Sequence, residues 1–265
     1  MNEANIQNHH KEEFEKWALG WSGCHGGDIA AGSIWICGIE WGGESSKDYL
    51  ENEIKKDRSK SPKGYDSAEE NYCSPFDIGV FMIINAYKGV NVSDFVRDNC
   101  YTKLPHKPFV KNGNCKGFFK MNLYPIAFRR ADDKYWDEYI SKLTNFKSKE
   151  DYQRWCADKR FKKMRNRVTE FSPSAIICFG KSWIDDFSHA FISEEKIAWE
   201  TEYIGKNEEA GGQRELKYYK CYNGPTVVVC PFPFPWGGAK GCLNSVELLS
   251  ECGVAINGII KSSNS

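Results

Sequence analysis

Apolar runs of strand length recur along the chain, each ending in a glycine or an isolated polar residue, with helix-period stretches between them. Phe14, Trp17, Ala18 and Trp21 fall at i, i+3, i+4 and i+7, which gives an N-terminal helix one apolar face and stops it at Gly20 to Gly23. Ser33 to Gly38 is the first predicted strand. Its apolar positions follow one another without alternation, the pattern of a strand covered on both faces. Ser74-Pro75-Phe76-Asp77 opens a buried helix over Ile78 to Tyr87, ended at Gly89. Gly117 to Leu123 is the second strand, with Asn122 at its end before Tyr124-Pro125. From about Asp133 to Phe171 the chain is helical and charged, with Met164, Val168 and Phe171 as its apolar stripe. Ser174 to Phe179 is the third strand, running through Gly180 into a helix near Lys181. Leu216 to Tyr222 and Thr226 to Cys230 flank Asn223-Gly224, a hairpin signal, and the second of them is the fourth core strand. Asn244 and Glu247 make a capping pair for a final helix whose Val246, Leu249 and Cys252 face the sheet.

Four apolar strands separated by helices predict an α/β fold, a three-layer αβα domain around a central four-stranded, mostly parallel sheet. At 265 residues the chain fits a single domain, 1–265, with insertions. The polar stretch at about 44–72 reads as one such insertion, with a loop at 59–64, and the Pro- and Gly-dotted stretch from Cys100 to Cys115 reads as loop.

Composition narrows the chemistry. Hydrophobic residues make up 41%, including nine Trp, thirteen Tyr and sixteen Phe, enough for a core with aromatics left for a binding surface. Basic and acidic residues balance at 36 each, so nucleic-acid binding has to come from local patches rather than a global field. Lys159, Arg160, Lys162, Lys163, Arg165 and Arg167 form one such crowd, readable as a solvated helix face or as a phosphate-facing patch. Eleven cysteines, an odd number with no Cys-x-x-Cys pair, point to reduced thiols and a cytoplasmic setting. The polar N-terminus and the lack of an eighteen-residue apolar run predict neither a signal peptide nor a membrane span. Cys24 and His25 are adjacent, but a structural zinc needs four convergent ligands, so no metal is expected. Gly180-Lys181-Ser182 resembles the end of a P-loop, but position 175 is Ala where that loop needs Gly.

Chemistry-bearing residues gather where α/β proteins bind ligands, at the carboxyl ends of strands. Glu40 follows the first strand in the turn Gly38-Ile39-Glu40-Trp41-Gly42-Gly43, Asn122 ends the second, and the fourth delivers the stiff aromatic loop Pro231 to Gly241. Glu40 reads as a helix cap or a lysine partner, and Asn122 as a buried tie between loops. Phe76 offers a ring to pack in the core.

This order of motifs resembles the uracil-DNA glycosylase superfamily, nearest to its single-strand-selective monofunctional branch. Gly38-Ile39-Glu40-Trp41-Gly42 is similar to the family's first motif, Phe119 to Pro125 to its Asn-Leu-x-Pro segment, and Pro233 to Gly241 to its Pro-rich DNA-inserting loop. The resemblance covers most of residues 33–252. It implies Glu40 as the catalytic residue, a carboxylate that stabilises the opening oxocarbenium ion or orients water, with Gly38, Trp41, Gly42 and Asn122 around the base; given such a base, Phe76 offers a ring to stack on it. Pro233, Phe234, Trp236, Gly237 and Lys240 would then contact DNA. It also implies a monomer acting on single- or double-stranded DNA, with no cofactor and no membrane. Trp41 stands where the family has proline, Glu40 where it has Asp or Asn, and Cys230 or Pro231 where it has the loop histidine. Those departures point toward a modified base, including the bulky bases of phage DNA that members of the superfamily attack. Two alternatives stay open: an inactive base- or nucleic-acid-binding module of the same fold, and an unrelated doubly wound enzyme acting on a small nucleotide.

Overall fold

In the computed structural model, residues 3–40, 47–67, 74–96, 103–111, 116–128, 135–206, 212–234 and 241–263 are described. The apolar runs become strands: β1 (Gly26–Gly27), β2 (Ile34–Gly38), β3 (Phe118–Asn122), β4 (Ala175–Phe179), β5 (Glu200–Ile204), β6 (Arg214–Lys220) and β7 (Thr226–Cys230). They form one sheet in the order β1-β3-β2-β4-β7-β6-β5. The four expected core strands are parallel neighbours at its centre. The sheet has seven strands rather than four, because β1, β6 and β5 add to it antiparallel. Sequence pattern signalled only β6 among these. β5 buries just Ile204, and β1 is two glycines, so neither carries an apolar run.

The described helices are α1 (Glu3–Leu19), α2 (Lys47–Ile54), α3 (Pro75–Tyr87), α4 (Ser93–Val96), α5 (Glu138–Thr144), α6 (Lys149–Trp155), α7 (Phe161–Phe171), α8 (Ile184–Phe191) and α9 (Val246–Ser263). Side chains two apart on a strand share a face, and the core divides accordingly. Trp35, Cys37, Phe119, Met121, Ile176, Cys178, Val227 and Val229 pack with α1, α2 and α5–α8 on one side. Ile34, Ile36, Phe118, Ile177, Phe179, Val228 and Cys230 pack with α3 and α9 on the other. These are three layers, helix on sheet on helix.

Several local expectations are corrected. The helical span before Phe171 is broken, because Asn145 takes the left-handed conformation that ends α5 and Ser148 Oγ caps α6 by accepting from Asp151 N. Ser245, not Asn244, caps α9: its Oγ accepts from Leu248 N at 3.2 Å, while Asn244 Oδ1 accepts from Arg214. The basic run is not one solvated face, since Arg160 and Arg167 are buried. Within the polar stretch, α2 sends Leu50 and Ile54 into the core, and Lys63 bridges to Gly26. No helix among the described residues is long and apolar enough to cross a membrane.

Helices α3 and α9 approach so closely that a Cβ on Gly253 would lie 2.4 Å from Ile83 O and 2.7 Å from Ala86 Cβ. Gly258, on the same helix, has open space where its Cβ would be. Gly253→Ala is therefore expected to destabilise the fold by roughly 1–3 kcal/mol through overpacking. Gly258→Ala is expected to stabilise it by about 0.5–1 kcal/mol through helix propensity. Urea denaturation of the two variants checks the contrast, and equal effects would contradict it.

Candidate functional site

The register of β2 and β3 sets Gly38 beside Asn122 at the carboxyl end of the sheet. A Cβ on Gly38 would fall 2.5 Å from Asn122 Oδ1 and 3.4 Å from Phe76 Cζ, so the missing side chain is what lets the amide and the ring share this corner. Phe76 is delivered by the first turn of α3, where Ser74 Oγ accepts from Asp77 N at 3.1 Å and Pro75 occupies the start of the helix. The Phe76 ring meets Phe179 edge-on, with centroids 5.8 Å apart, and lies 5.2 Å from Phe232. Pro233 packs on α3 where Gly79 leaves room for it, and Phe232 and Phe234 each hydrogen-bond the backbone of Leu243. Gly38, Phe76, Asn122 and Pro233 are thus brought to one place, with Phe234 next along the chain. Trp41, Gly42, Trp236, Gly237 and Lys240 lie outside the described residues.

Glu40 is placed differently. Its side chain is 3% exposed and pairs at 3.4 Å with Nζ of Lys149, the first residue of α6. Lys149 Nζ also lies 3.8 Å from the centroid of the Phe128 ring. Burial pushes the Tyr124 and Tyr152 phenols far up, and the Glu40 charge adds to both shifts. These neighbours belong to the α1, α2 and α5–α8 side of the sheet, whereas Phe76 stands on the α3 side.

Sequence reasoning passed over a second polar group on the Phe76 side. Lys120 stands in β3 between Phe118 and Asn122 on the same face, only 3% exposed. Its ammonium bonds Asp77 Oδ1 and donates to the Tyr65 hydroxyl at 3.0 Å. It also lies 5.7 Å from the Phe76 ring centroid and 5.5 Å from that of Tyr65. Asp77 Oδ2 accepts from Ser74 Oγ at 2.7 Å, completing the carboxylate. The His25 ring lies tilted against that of Tyr65, with centroids 4.6 Å apart. Burial first, then the charges of Lys120 and Arg58, hold its imidazole well below the usual range, so it is neutral. The available signal was a lysine inside an otherwise apolar strand, at the position two before Asn122.

Arg160 was also missed as a builder of the site. Fully buried, it donates from Nε to Leu123 O at 2.8 Å, from Nη2 to Asn122 O at 3.2 Å and Ser22 O at 2.8 Å, and from Nη1 to Ala18 O and Ser22 Oγ. A single π turn, Cys156–Arg160, joins α6 to α7 and ends in this residue. Arg167 works beside it, donating to Leu19 O and Gly20 O with its guanidinium over the Trp21 ring.

Aromatic rings, one amide and an ammonium–carboxylate pair meet in this corner, groups able to stack on a planar heterocycle and hydrogen-bond its donors and acceptors. Among the described residues no group of three or more His, Cys, Asp or Glu could hold a metal ion. An open groove of about 640 Å³, lined by Thr169, Ser172, Glu194 and Tyr222, lies at the opposite, amino ends of β4 and β7. No protein-family model matches the chain, and no curated protein matches its sequence.

Two outcomes are expected from this packing. Arg160→Met strands buried carbonyls at about 1–3 kcal/mol each, so a loss of at least about 3 kcal/mol is expected in urea titrations, and a loss below about 1 kcal/mol would show the bonds to be dispensable. Because the folded imidazole of His25 refuses a proton that the unfolded chain accepts, its contribution is complete above about pH 6.5 and is lost as pH falls below that value. Between pH 7 and 5 the wild type should lose up to about 2 kcal/mol more stability than His25→Gln, measured by denaturation at each pH.

Proposed function

We propose that the protein is a monofunctional DNA glycosylase of uracil-DNA glycosylase-like fold, hydrolysing the N-glycosidic bond of a uracil or modified base flipped out of DNA. The carrying observation is the convergence of Gly38, Asn122 and Phe76 at the carboxyl ends of β2 and β3. Gly38 and Asn122 lie in the motifs that the resemblance assigns to the base, Phe76 adds an aromatic ring beside them, and the three come from segments far apart in sequence. In this reading the Asn122 amide reads the polar edge of the base and Phe76 stacks on its face. Pro233 and Phe234 lead into the segment with Trp236 and Lys240, which opens the stack and meets phosphate. Glu40, two residues beyond Gly38, stabilises the oxocarbenium ion or orients water. No cofactor takes part, and the enzyme acts as a cytoplasmic monomer.

One observation favours a second reading, a domain that binds a base without cleaving. Glu40 is buried in an ion pair with Lys149 on the α1, α2 and α5–α8 side of the sheet, the opposite side from Phe76.

Incubation with DNA carrying uracil, oxidised, hydroxymethylated or glucosylated bases, with mass spectrometry of released base, tests the enzymatic reading. Free base and alkali-labile abasic sites are expected from at least one substrate, with release reduced at least about 10³-fold in Glu40→Gln. Salt-dependent DNA binding with no release from any substrate would select the binding module. Hydrolysis of nucleotides without DNA binding would select an unrelated enzyme.

A further inference from the structure

The charged pair inside the Phe76 cluster goes beyond the residues so far given a role. A lysine in a central strand is costly. Removing an ammonium from water is repaid only by good partners, and a hydrophobic residue of similar volume often serves stability as well or better. Two of the three donors of Lys120 are engaged, by Asp77 Oδ1 and by Tyr65. Both carboxylate oxygens of Asp77 are likewise engaged, by Lys120 and Ser74. The ammonium is flanked by the Phe76 and Tyr65 rings and lies on the strand face that carries Asn122. It is therefore a fixed cation, held by a carboxylate, within the cluster that gathers around an aromatic platform.

Cleaving an N-glycosidic bond has a second charge to manage besides the one on the sugar. The C1′–N bond breaks with its electron pair moving onto the ring nitrogen, and the base departs as an anion spread over the ring nitrogen and the adjacent carbonyl. Water oxygen forms the new bond to C1′, and the water proton ends on the base, which balances the hydrolysis. A preorganised cation aimed at the developing negative charge lowers that barrier most in a dry site. Resting on the glycosylase reading, we propose that Lys120, held by Asp77, is the group that stabilises the departing pyrimidine as its anion. Lys120 gives the anion its third hydrogen bond. Asp77 acts through it as a positioning residue.

Binding of free pyrimidines tests this apart from any cleavage. Cytosine, uracil, 5-fluorouracil and 5-nitrouracil form a series of rising ring N–H acidity. Their affinities for the full-length protein are measured by calorimetry at one neutral pH, and the absorbance of the bound anion is recorded. The expected result is affinity rising at least about tenfold across the series, with the anion spectrum appearing in the complex. In Lys120→Met/Asp77→Asn, which removes both charges and keeps a polar partner for Ser74, the dependence on acidity should vanish. Thermal melting verifies that this variant folds. In Asn122→Ala every affinity should fall by a similar factor while the dependence stays. The wild-type series decides even when the double variant does not fold, because affinity flat in acidity, or no binding by any of the four, overturns the inference. A dependence that persists without Lys120, or that disappears with Asn122, overturns it too. Acidity-dependent binding without base release from DNA would keep Lys120 as an anion-binding group and overturn the glycosylase reading on which its catalytic role rests. Base release with flat binding would do the reverse.

Discussion

The carboxyl end of β3, from which the site amide rises, is held by the buried guanidinium of Arg160. Four carbonyls, from Ala18, Ser22, Asn122 and Leu123, converge on it with the Ser22 hydroxyl. Each belongs to a place where regular structure stops: the end of α1 and its adjoining turn, and the end of β3. Carbonyls freed at such ends need donors, and here the surroundings are too apolar for water to supply them. One planar fork with five N–H groups serves two chain segments about a hundred residues apart, which a lysine cannot do. Because one of its acceptors is the carbonyl of Asn122, the same residue that closes the core also fixes the backbone from which the site amide projects.

The π turn makes this geometry available. An ordinary helix through residues 156–160 would keep α6 and α7 in register, whereas an extra residue in one turn rotates α7 about its axis relative to α6. It lets Arg160 and Arg167 both reach inward to the α1 end while Lys159, Lys162 and Lys163 remain outside. A basic run in sequence is therefore two different things here, a carbonyl clamp and a solvated face, and only the helix phase separates them.

How much could be read from the chain obeys the same logic. The parallel core strands, the Ser74-Pro75 start of α3, the Asn223-Gly224 hairpin and the placement of Asn122 were legible because continuous apolar runs and turn residues are local signals. The edge strands were not, since β5 is paired through its backbone while three of its five side chains face solvent. Lys120 was not legible either. Inside an apolar strand its charge looks like an exception, and its meaning depends on Asp77, Tyr65 and Phe76, which reach it from other segments. The break at Asn145 and the cap at Ser245 show the same limit, as polar residues near a helix end offer several caps and packing selects one.

The placement of Glu40 turns on a bend. Residues two apart on a strand share a face, so a β2 that continued past Gly38 would send Glu40 to the side of Gly38 and Phe76. The chain instead bends at Ile39 and Glu40, with Ile39 O accepting from Tyr124 N, and the carboxylate meets Lys149 across the sheet edge. Gly180 leaves the space into which Ile39 packs, its absent Cβ falling 2.6 Å from Ile39 Cδ1, so the bend is fixed from the β4 side as well. Carboxylate and amide thus rise from adjacent strands and diverge to opposite helix layers.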